Sequence, residues 1–348
     1  MQPWRRVCPE GLEVRPCGGA DVVKGNGLFT TRALEEGQLL FQEDPVDGMA
    51  LLMFDEPNRE NHCQHCLRRF FGGAEVGCPQ NCGARYCCGV CRSNASVHHD
   101  VLCAAANPHW ADFEQQAREC GNEYYLLAAR ALAADGSESD AWAAWADYAA
   151  PPWWETMRRP AYSDSSASCT GEHSSRSSSP VFDSEDKASL DRFFRDAVRS
   201  QTADMALLLQ RVLECSAPGV ESLPAKELSA EALGRLMGLV RVNAMAVVAA
   251  SDDLAPFAAS SESGSSSQDS SEAPLARGMA IYAVTSAMNH ASDANCFVAS
   301  DPSAPQRCLV QTLRPVVPGE ELCINYLQGS HYTEEQRREV LQQQYNIH

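Results

Sequence analysis

The stretch MAIYAVTSAMNHASDANCFVAS (residues 279–300), continued by RCLVQTLRPVVPGEELCINY (residues 307–326), decides the fold of this chain. Its β-branched and apolar runs alternate with polar turns, a pattern typical of a compact β region. These runs predict three short strands, at residues 281–284, 308–313 and 322–326.

The last of these strands ends on a tyrosine, and a polar loop precedes it in the sequence. Pro318 and Gly319 form a turn signal, so the strand begins directly after a turn and ends on Tyr326. A preceding loop carries Asn289 and His290. A tyrosine at a strand end beside such a loop suits a site that binds a polar small molecule and handles a proton.

The first part of the chain has a second β pattern, VVKGNGLFTTRALEEGQLLFQEDP (residues 22–45). Gly25 and Gly27 flank Asn26, so the backbone can turn tightly there and approach a ligand without obstruction by a Cβ atom. A simple hairpin turn explains the same three residues. The flanking pattern predicts strands at residues 12–15, 28–31 and 39–42.

Length and composition restrict the class of protein. The 348 residues allow one large or two modest domains, and a hydrophobic content of 44% allows a sizeable core. The net charge of −18 argues against sequence-independent nucleic-acid binding and favours cationic protein partners, although the acidity also serves solubility. No apolar run approaches the roughly 20 residues of a membrane span, and the N-terminus lacks the apolar stretch of a secretory signal.

A cysteine-rich segment between Cys63 and Cys103 holds half of the 16 cysteines. Its spacing gives four close ligand pairs: Cys63/Cys66, Cys78/Cys82, Cys87/Cys91 and His99/Cys103. Eight soft ligands satisfy two tetrahedral zinc ions, and so short a segment needs metal to fold. Disulfides are the alternative, which the histidine and the clustering in a reducing compartment disfavour.

The middle of the chain is helical and contains polar, Ser-rich segments. Apolar spacing predicts helices at residues 110–133, 188–215 and 226–250. Two low-complexity Ser-rich stretches, at residues 163–179 and 260–272, are predicted to be disordered. Core packing or an aromatic binding wall explains four tryptophans of this region: Trp142, Trp145, Trp153 and Trp154.

Two motifs give the chain a family resemblance. MNHASDAN (residues 288–295) resembles the NHSCxPN signature of SET domains, and GEELCINY (residues 319–326) resembles their GEELxIxY signature. With the cysteine-rich segment and the glycine loop, the chain resembles the SET-and-MYND branch of protein-lysine methyltransferases. The resemblance covers about residues 20–103 and 240–347.

The resemblance implies an α+β fold. A SET-domain β fold of small curled sheets with a pseudoknot would be interrupted by a zinc-binding MYND finger and a helical insert. The implied divisions are a SET N-terminal part at 12–58, the finger at 59–104, the insert at 105–277 with linkers at 162–187 and 257–274, the SET catalytic core at 278–330 and a C-terminal helix at 331–348.

The resemblance also implies how the zinc ligands interleave. The first zinc ion would take Cys63, Cys66, Cys87 and Cys91, and the second would take Cys78, Cys82, His99 and Cys103. Cys88 and His98 are neighbours that could substitute for a ligand. The local arginines of this segment give only a weak case for nucleic acid, so we expect the finger to bind protein partners.

The implied activity is transfer of a methyl group from S-adenosylmethionine to a protein lysine. The catalytic hydroxyl would be that of Tyr326, with Tyr282 also lining the substrate channel. The cofactor would be held by residues that match family positions: Lys24, Asn26, Gly27, Asn243, Asn289, His290 and Tyr345. Each tyrosine has a simpler explanation as a half-buried residue with a hydrogen-bonded hydroxyl, and Asn243 matches less closely because Met245 replaces an aromatic.

Some positions depart from the family pattern. Ala291 and Ser292 stand where the family has Ser-Cys, and Ala294 replaces its proline. The family's cysteine tail, which would complete a third zinc site, is not found after Tyr345. These departures favour a second hypothesis, a non-catalytic MYND adaptor with a degenerate SET core.

The implied partners follow from the enzyme hypothesis. We expect a protein substrate with an exposed lysine, such as a basic histone tail, and protein partners at the finger. We expect no membrane binding and no direct nucleic-acid binding. The expected location is cytoplasmic, nuclear or both.

Overall fold

The computed structural model describes residues 8–17, 25–46, 49–54, 59–70, 73, 75–134, 151–156, 184–215, 228–249, 276–327, 332–345 and 347. Its strands are β1 (Leu12–Pro16), β2 (Asn26–Thr30), β3 (Leu39–Glu43), β4 (Ala50–Leu52), β5 (Val76–Gly77), β6 (Arg85–Tyr86), β7 (Met245–Ala249), β8 (Ala276–Ala280), β9 (Asn289–His290), β10 (Cys296–Asp301), β11 (Ala304–Thr312) and β12 (Glu321–Ile324). Its α-helices are α1 (Gly89–Leu102), α2 (Pro108–Glu119), α3 (Tyr124–Ala134), α4 (Trp153–Thr156), α5 (Ser184–Glu214), α6 (Ala230–Asn243) and α7 (Glu334–Tyr345). This mixed composition with small sheets confirms the predicted α+β class.

Three sheets join strands from the two ends of the chain. Their strand orders are β1-β2-β12-β9, β10-β11-β3 and β4-β8-β7, so each contains strands from before residue 53 and after residue 244. A fourth, two-stranded sheet, β5-β6, lies in the cysteine-rich segment. Because side chains alternate across a strand, burial alternates along β11 and β12, and their inward residues build one apolar cluster under the sheets.

Register fixes which residues of the two chain ends meet. Leu322 pairs with Leu28 across the antiparallel β12–β2 ladder. On its other side, β12 runs parallel to β9, with Cys323 opposite Asn289 and Ile324 opposite His290. The glycine loop, the Asn-His loop and the strand before Tyr326 therefore share one sheet.

The helices pack into a second apolar cluster. It includes Trp153 and Trp154, which are 2% and 6% exposed, so these two tryptophans are core residues and do not form an exposed binding wall. The Trp153 indole also donates to the Thr202 hydroxyl over 2.9 Å. Trp142, Trp145 and both Ser-rich stretches (residues 163–179 and 260–272) lie outside the described residues.

Several predicted boundaries are corrected by the structure. The helix predicted at 110–133 is two helices, because Gly121 adopts a φ of +59° after α2 and the Asn122 side chain accepts from the Tyr124 amide at the start of α3. The helix predicted at 226–250 ends at Asn243, and the following residues form β7, which pairs with β8.

Two further predictions are corrected. The strand predicted at 281–284 lies earlier, at Ala276–Ala280, because the Glu43 carboxylate accepts from the Val284 and Thr285 amides and turns the chain there. The strand predicted to end on Tyr326 ends at Ile324. Helix α5 begins at Ser184, inside the span predicted as a linker.

Gly238 of α6 offers a test of the helical packing. A Cβ atom there would lie 2.1 Å from the Pro151 carbonyl oxygen, a backbone atom that cannot move without its neighbours. We expect Gly238→Ala to lower the free energy of unfolding by about 1–3 kcal/mol, despite the roughly 1 kcal/mol by which alanine favours a helix interior. Urea denaturation followed by far-UV circular dichroism measures this.

Gly89 provides the matched control for this substitution. It is also helical, at the start of α1, but nothing lies within 4 Å of its added Cβ atom. Gly89→Ala should leave stability unchanged or raise it slightly. Equal effects of the two substitutions would contradict the tight contact between α6 and the chain before α4.

Candidate functional site

The end of β12 and the short strand β9 place Tyr326 beside the Asn-His pair. Tyr326 follows β12 by two residues, and its hydroxyl donates to the Met288 carbonyl over 2.9 Å. Its backbone amide donates to His290 Nδ1 over 3.1 Å, and the two rings lie 5.3 Å apart. Burial raises the pKa of Tyr326, so the phenol stays protonated and acts as a hydrogen-bond donor at neutral pH.

His290 has one ring nitrogen in a hydrogen bond and one without a partner among the described residues. Because Nδ1 accepts from the Tyr326 amide, the proton of the neutral ring is on Nε2. Within the described part of the chain, Nε2 is buried and has no hydrogen-bond partner. Burial lowers the pKa of His290, which keeps the ring neutral at pH 7.

This arrangement predicts a loss of stability on acidification. The pKa of His290 is lowered in the folded chain, so its neutral form contributes stability above pH 6.5 that is lost as the pH falls towards the folded-state pKa. Protonation would also set an N–H against the Tyr326 amide. We expect the thermal unfolding midpoint to fall by a few degrees more between pH 7.5 and 5.5 in the wild-type chain than in His290→Asn.

The asparagine is the matched variant for this test, because its side-chain oxygen can accept from the Tyr326 amide and does not titrate. Scanning calorimetry at both pH values measures the difference. Equal losses in the two chains would show that His290 does not control the acid sensitivity.

Tyr345, in the last turn of α7, covers Tyr326. The two ring centroids lie 4.6 Å apart. Burial raises the pKa of Tyr345, the nearby phenol of Tyr124 raises it further, and the cationic Arg241 opposes this change. Tyr124 and Arg241 thus influence the electrostatics of the site, although no motif in the sequence marked them.

A second cluster surrounds the Asn289 side chain. Its Nδ2 lies 2.7 Å from Glu321 Oε1, 3.3 Å from the Asn26 carbonyl oxygen and 3.3 Å from Cys17 Sγ. The Cys17 thiol in turn donates to Glu321 Oε1 over 3.2 Å. A Cβ atom on Gly27 would meet Cys17 Sγ at 2.2 Å, so only glycine fits at this position. No motif in the sequence marked Cys17, and Glu321 was marked only as a member of GEELCINY, without a role of its own.

Three other predicted site residues are Asn243, Tyr282 and Lys24. Asn243 ends α6, where its carbonyl accepts from Ser286, in the 3₁₀ turn that precedes Met288, and its side chain donates to the Leu239 carbonyl. Tyr282 is 2% exposed, and its hydroxyl donates to the Gln306 carbonyl over 2.7 Å. Lys24 lies outside the described residues.

The cysteine-rich segment folds into two groups of ligand atoms. The first contains Cys63, Cys66, Cys87 and Cys91, and the second contains Cys78, Cys82, His99 and Cys103. Within each group these atoms lie within 4.8 Å of one another. This is the interleaved pairing that the family resemblance implies.

Distances inside the groups fit tetrahedral zinc. Sulfurs about 2.3 Å from a tetrahedral zinc ion lie about 3.8 Å apart, and a sulfur and a histidine nitrogen lie about 3.6 Å apart. The observed Sγ–Sγ distances include 3.5 Å for Cys66–Cys87 and 3.7 Å for Cys78–Cys103. His99 Nε2 lies 3.3 Å from Cys78 Sγ. No cysteine of the described residues forms a disulfide, so the structure does not support the disulfide alternative for this segment.

The two substitute ligands stay outside both groups. Cys88 is exposed, and its Sγ lies 3.9 Å from Cys87 Sγ. His98 is buried next to His99, and its Nδ1 has no partner in the part of the chain that is described. The eight-ligand set therefore needs neither residue.

A cleft of about 180 Å³ separates the cysteine-rich segment from helices α2 and α3. Arg85, Arg118 and Arg130 reach it together with Glu60 and Glu114. Salt bridges within the chain hold two of these arginines, Arg85 to Glu75 and Arg118 to Glu114. None of the residues lining the cleft belongs to the clusters around Tyr326 or Asn289.

The SET domain family matches residues 25–327. The Histone-lysine N-methyltransferase SET5 of Mycosarcoma maydis is 32% identical over 92 residues, which are 25% of this chain and 18% of that protein. The chain thus matches less than a fifth of the length of this curated relative. Among the described helices, none combines the length and apolarity that crossing a membrane requires.

Proposed function

Since the chain belongs to the SET domain family, we propose that it is an S-adenosylmethionine-dependent protein-lysine N-methyltransferase. The family and the similarity to a histone-lysine methyltransferase support protein lysine methylation at the level of the family. The observation that carries the proposal is the protonated Tyr326 phenol, whose hydroxyl donates to the Met288 carbonyl while the Tyr326 backbone amide donates to His290.

Tyr326 is the proposed catalytic residue. A free lysine has a pKa of about 10.4, so presenting the neutral amine at pH 7 costs about 4–5 kcal/mol at roughly 1.4 kcal/mol per pH unit. A poorly solvated channel lowers that pKa, and the phenol of Tyr326 then aligns the amine for in-line transfer. The ring of Tyr345 forms one wall of this channel. We propose that Tyr282 lines the channel as well, with its hydroxyl bonded to the Gln306 carbonyl.

The residues around Asn289 fit a cationic cofactor. When bound, S-adenosylmethionine supplies the methyl group from its sulfonium. The carboxylate of Glu321 and the faces of the tyrosine rings favour positive charge, and His290 Nε2 offers a buried N–H that lacks a partner among the described residues. We place Lys24, Asn26, Gly27, Asn243, Asn289, His290 and Tyr345 around the cofactor.

The cysteine-rich segment is proposed to be a MYND finger that holds two zinc ions. The two ligand groups support this, and its helix α1 exposes an apolar pair on one face. Val90 and Val97 are 67% and 45% exposed, and a spacing of seven residues places them on the same side of the helix. We propose that this face binds protein partners.

The proposed substrate is an exposed lysine in a basic protein segment, such as a histone tail. The net charge of −18 favours encounter with cationic chains and disfavours nucleic acid. We propose a location in the cytoplasm, the nucleus or both, where the protein would meet such a basic substrate.

Methyl incorporation tests the proposal. The purified full chain is incubated with S-adenosylmethionine carrying a labelled methyl group and with core histones or a proteome extract, and methyllysine is identified after hydrolysis. We expect label in lysine. Cofactor binding without any incorporation would favour the adaptor hypothesis, which the replacement of the family's Ser-Cys by Ala291 and Ser292 supports. Absence of cofactor binding would overturn the enzyme proposal.

A further inference from the structure

Asn289 is held by hydrogen bonds on one side of its amide. Its Nδ2 faces three acceptors, which are the Glu321 carboxylate at 2.7 Å, the Asn26 carbonyl and the Cys17 sulfur. Among the described residues, no donor is recorded at its Oδ1. The nitrogen end of the amide is therefore fixed by the protein, and the oxygen end is available to a ligand.

The orientation of this amide is forced by its neighbours. An asparagine amide can be turned by 180° without changing its shape, so the hydrogen-bond partners must decide which end is nitrogen. The reversed amide would put an oxygen 2.7 Å from the Glu321 carboxylate and 3.3 Å from the Asn26 carbonyl. Two such oxygen–oxygen contacts repel, so Glu321 selects one orientation.

Cys17 supports the same arrangement from β1. Its amide donates to the Gly25 carbonyl over 2.8 Å, which extends the β1–β2 ladder to the glycine loop. Its thiol donates to the carboxylate oxygen that accepts from Asn289. The sulfur packs against the Cα atom of Gly27, where a Cβ atom would overlap it. The thiol thus holds the carboxylate in position.

We infer that Glu321 and Cys17 are positioning residues, which fix the Asn289 amide so that its Oδ1 accepts a hydrogen bond from the ammonium group at the amino-acid end of the cofactor. This inference rests on the proposed function. An ammonium ion suits this place because the adjacent carboxylate complements its charge.

Calorimetric titration with two cofactor products tests the inference without any methyl transfer. S-adenosylhomocysteine carries the ammonium group, and 5′-methylthioadenosine has the same nucleoside but lacks the amino-acid end. We expect Glu321→Gln to weaken S-adenosylhomocysteine binding about tenfold, which corresponds to about 1.4 kcal/mol. Binding of 5′-methylthioadenosine should change by less than about twofold, or roughly 0.4 kcal/mol.

Cys17 supplies a matched pair of variants. Cys17→Ser keeps a donor to Glu321 and should retain S-adenosylhomocysteine affinity, whereas Cys17→Val keeps the bulk without the donor and should weaken it. Thermal unfolding without ligand checks that each variant is folded.

The outcomes separate this inference from the proposed function. A wild-type chain that binds neither compound would overturn both. A wild-type chain that binds S-adenosylhomocysteine, together with a Glu321→Gln variant of unchanged affinity, would overturn the positioning role alone. An equal loss of affinity for both compounds would also overturn the positioning role, since the substitution would then affect the whole site and not the amino-acid end alone.

Discussion

Replacing Tyr326 with phenylalanine is expected to lower the rate of lysine methylation by about 10²–10³-fold, the usual effect of removing one preorganised hydrogen-bonding group at the reacting atoms. The substitution removes the hydroxyl that donates to the Met288 carbonyl but keeps the ring that contacts His290 and Tyr345. Affinity for S-adenosylhomocysteine should therefore change by less than about threefold, or roughly 0.7 kcal/mol. Labelled methyl transfer and calorimetric titration measure the two quantities.

The geometry explains why the Tyr326 hydroxyl should have this effect. Burial raises its pKa, so the phenol stays neutral over the whole physiological range. Because its proton is donated to the Met288 carbonyl, its oxygen is left to accept an N–H of the amine. The hydroxyl is held in place by a carbonyl from the turn that precedes Asn289, and the backbone amide is held by His290. The group is thus positioned before substrate arrives, which is the condition for a large catalytic effect.

Tyr332 provides the control for this prediction. It is 44% exposed and precedes α7, so Tyr332→Phe should leave both activity and cofactor affinity unchanged. A Tyr326→Phe enzyme that keeps more than half of the wild-type rate would show that the hydroxyl does not act on the reacting amine. A loss of cofactor binding equal to the loss of rate would assign it a binding role.

The sequence predicted those parts of the site that lie on continuous motifs. Asn289, His290 and Tyr326 belong to two motifs whose turn and strand signals are local, and the structure places these residues side by side. The eight metal ligands were predicted from spacing and family resemblance, because each pair lies within one short turn of backbone.

The parts that the sequence did not predict depend on contacts between distant segments. Tyr124 and Arg241, from two helices of the middle region, influence the pKa of Tyr345, and the Cys17 thiol donates to Glu321 across 304 residues of sequence. No local pattern encodes such contacts. A contact between distant segments also explains why the helix predicted to run through residue 250 ends early. Pairing with β8 makes Met245–Ala249 a strand.

Metal removal is the other change from which we expect a large effect. Structural zinc contributes about 10–16 kcal/mol to the folding of small zinc modules. The apolar cluster of the cysteine-rich segment consists mainly of the ligand cysteines themselves, with Tyr86 as its one large fully buried side chain among the described residues. Without metal, this segment buries too little apolar surface to stay folded.

We expect metal loss to affect the neighbouring sheets as well as the cysteine-rich segment. Leu67 directly follows a ligand cysteine, has a φ of +61° and is 1% exposed in the core under the sheets. A left-handed leucine costs about 1–3 kcal/mol and needs a rigid surrounding to hold it. Arg68 next to it donates to the Ser303 carbonyl between β10 and β11. Chelation should therefore unfold the segment first and also loosen its contact with the sheets.

Substituting each of two neighbouring cysteines tests this prediction most directly. Cys87→Ser removes a ligand of the first group and should reduce bound zinc from two ions to about one, because three remaining ligands hold the metal much more weakly. Cys88→Ser alters an exposed thiol outside both groups and should keep both ions. Metal content by mass spectrometry and limited proteolysis of the segment measure the difference. Equal zinc loss in the two variants would contradict the ligand assignment, and a segment that resists proteolysis after complete chelation would show that its fold does not depend on metal.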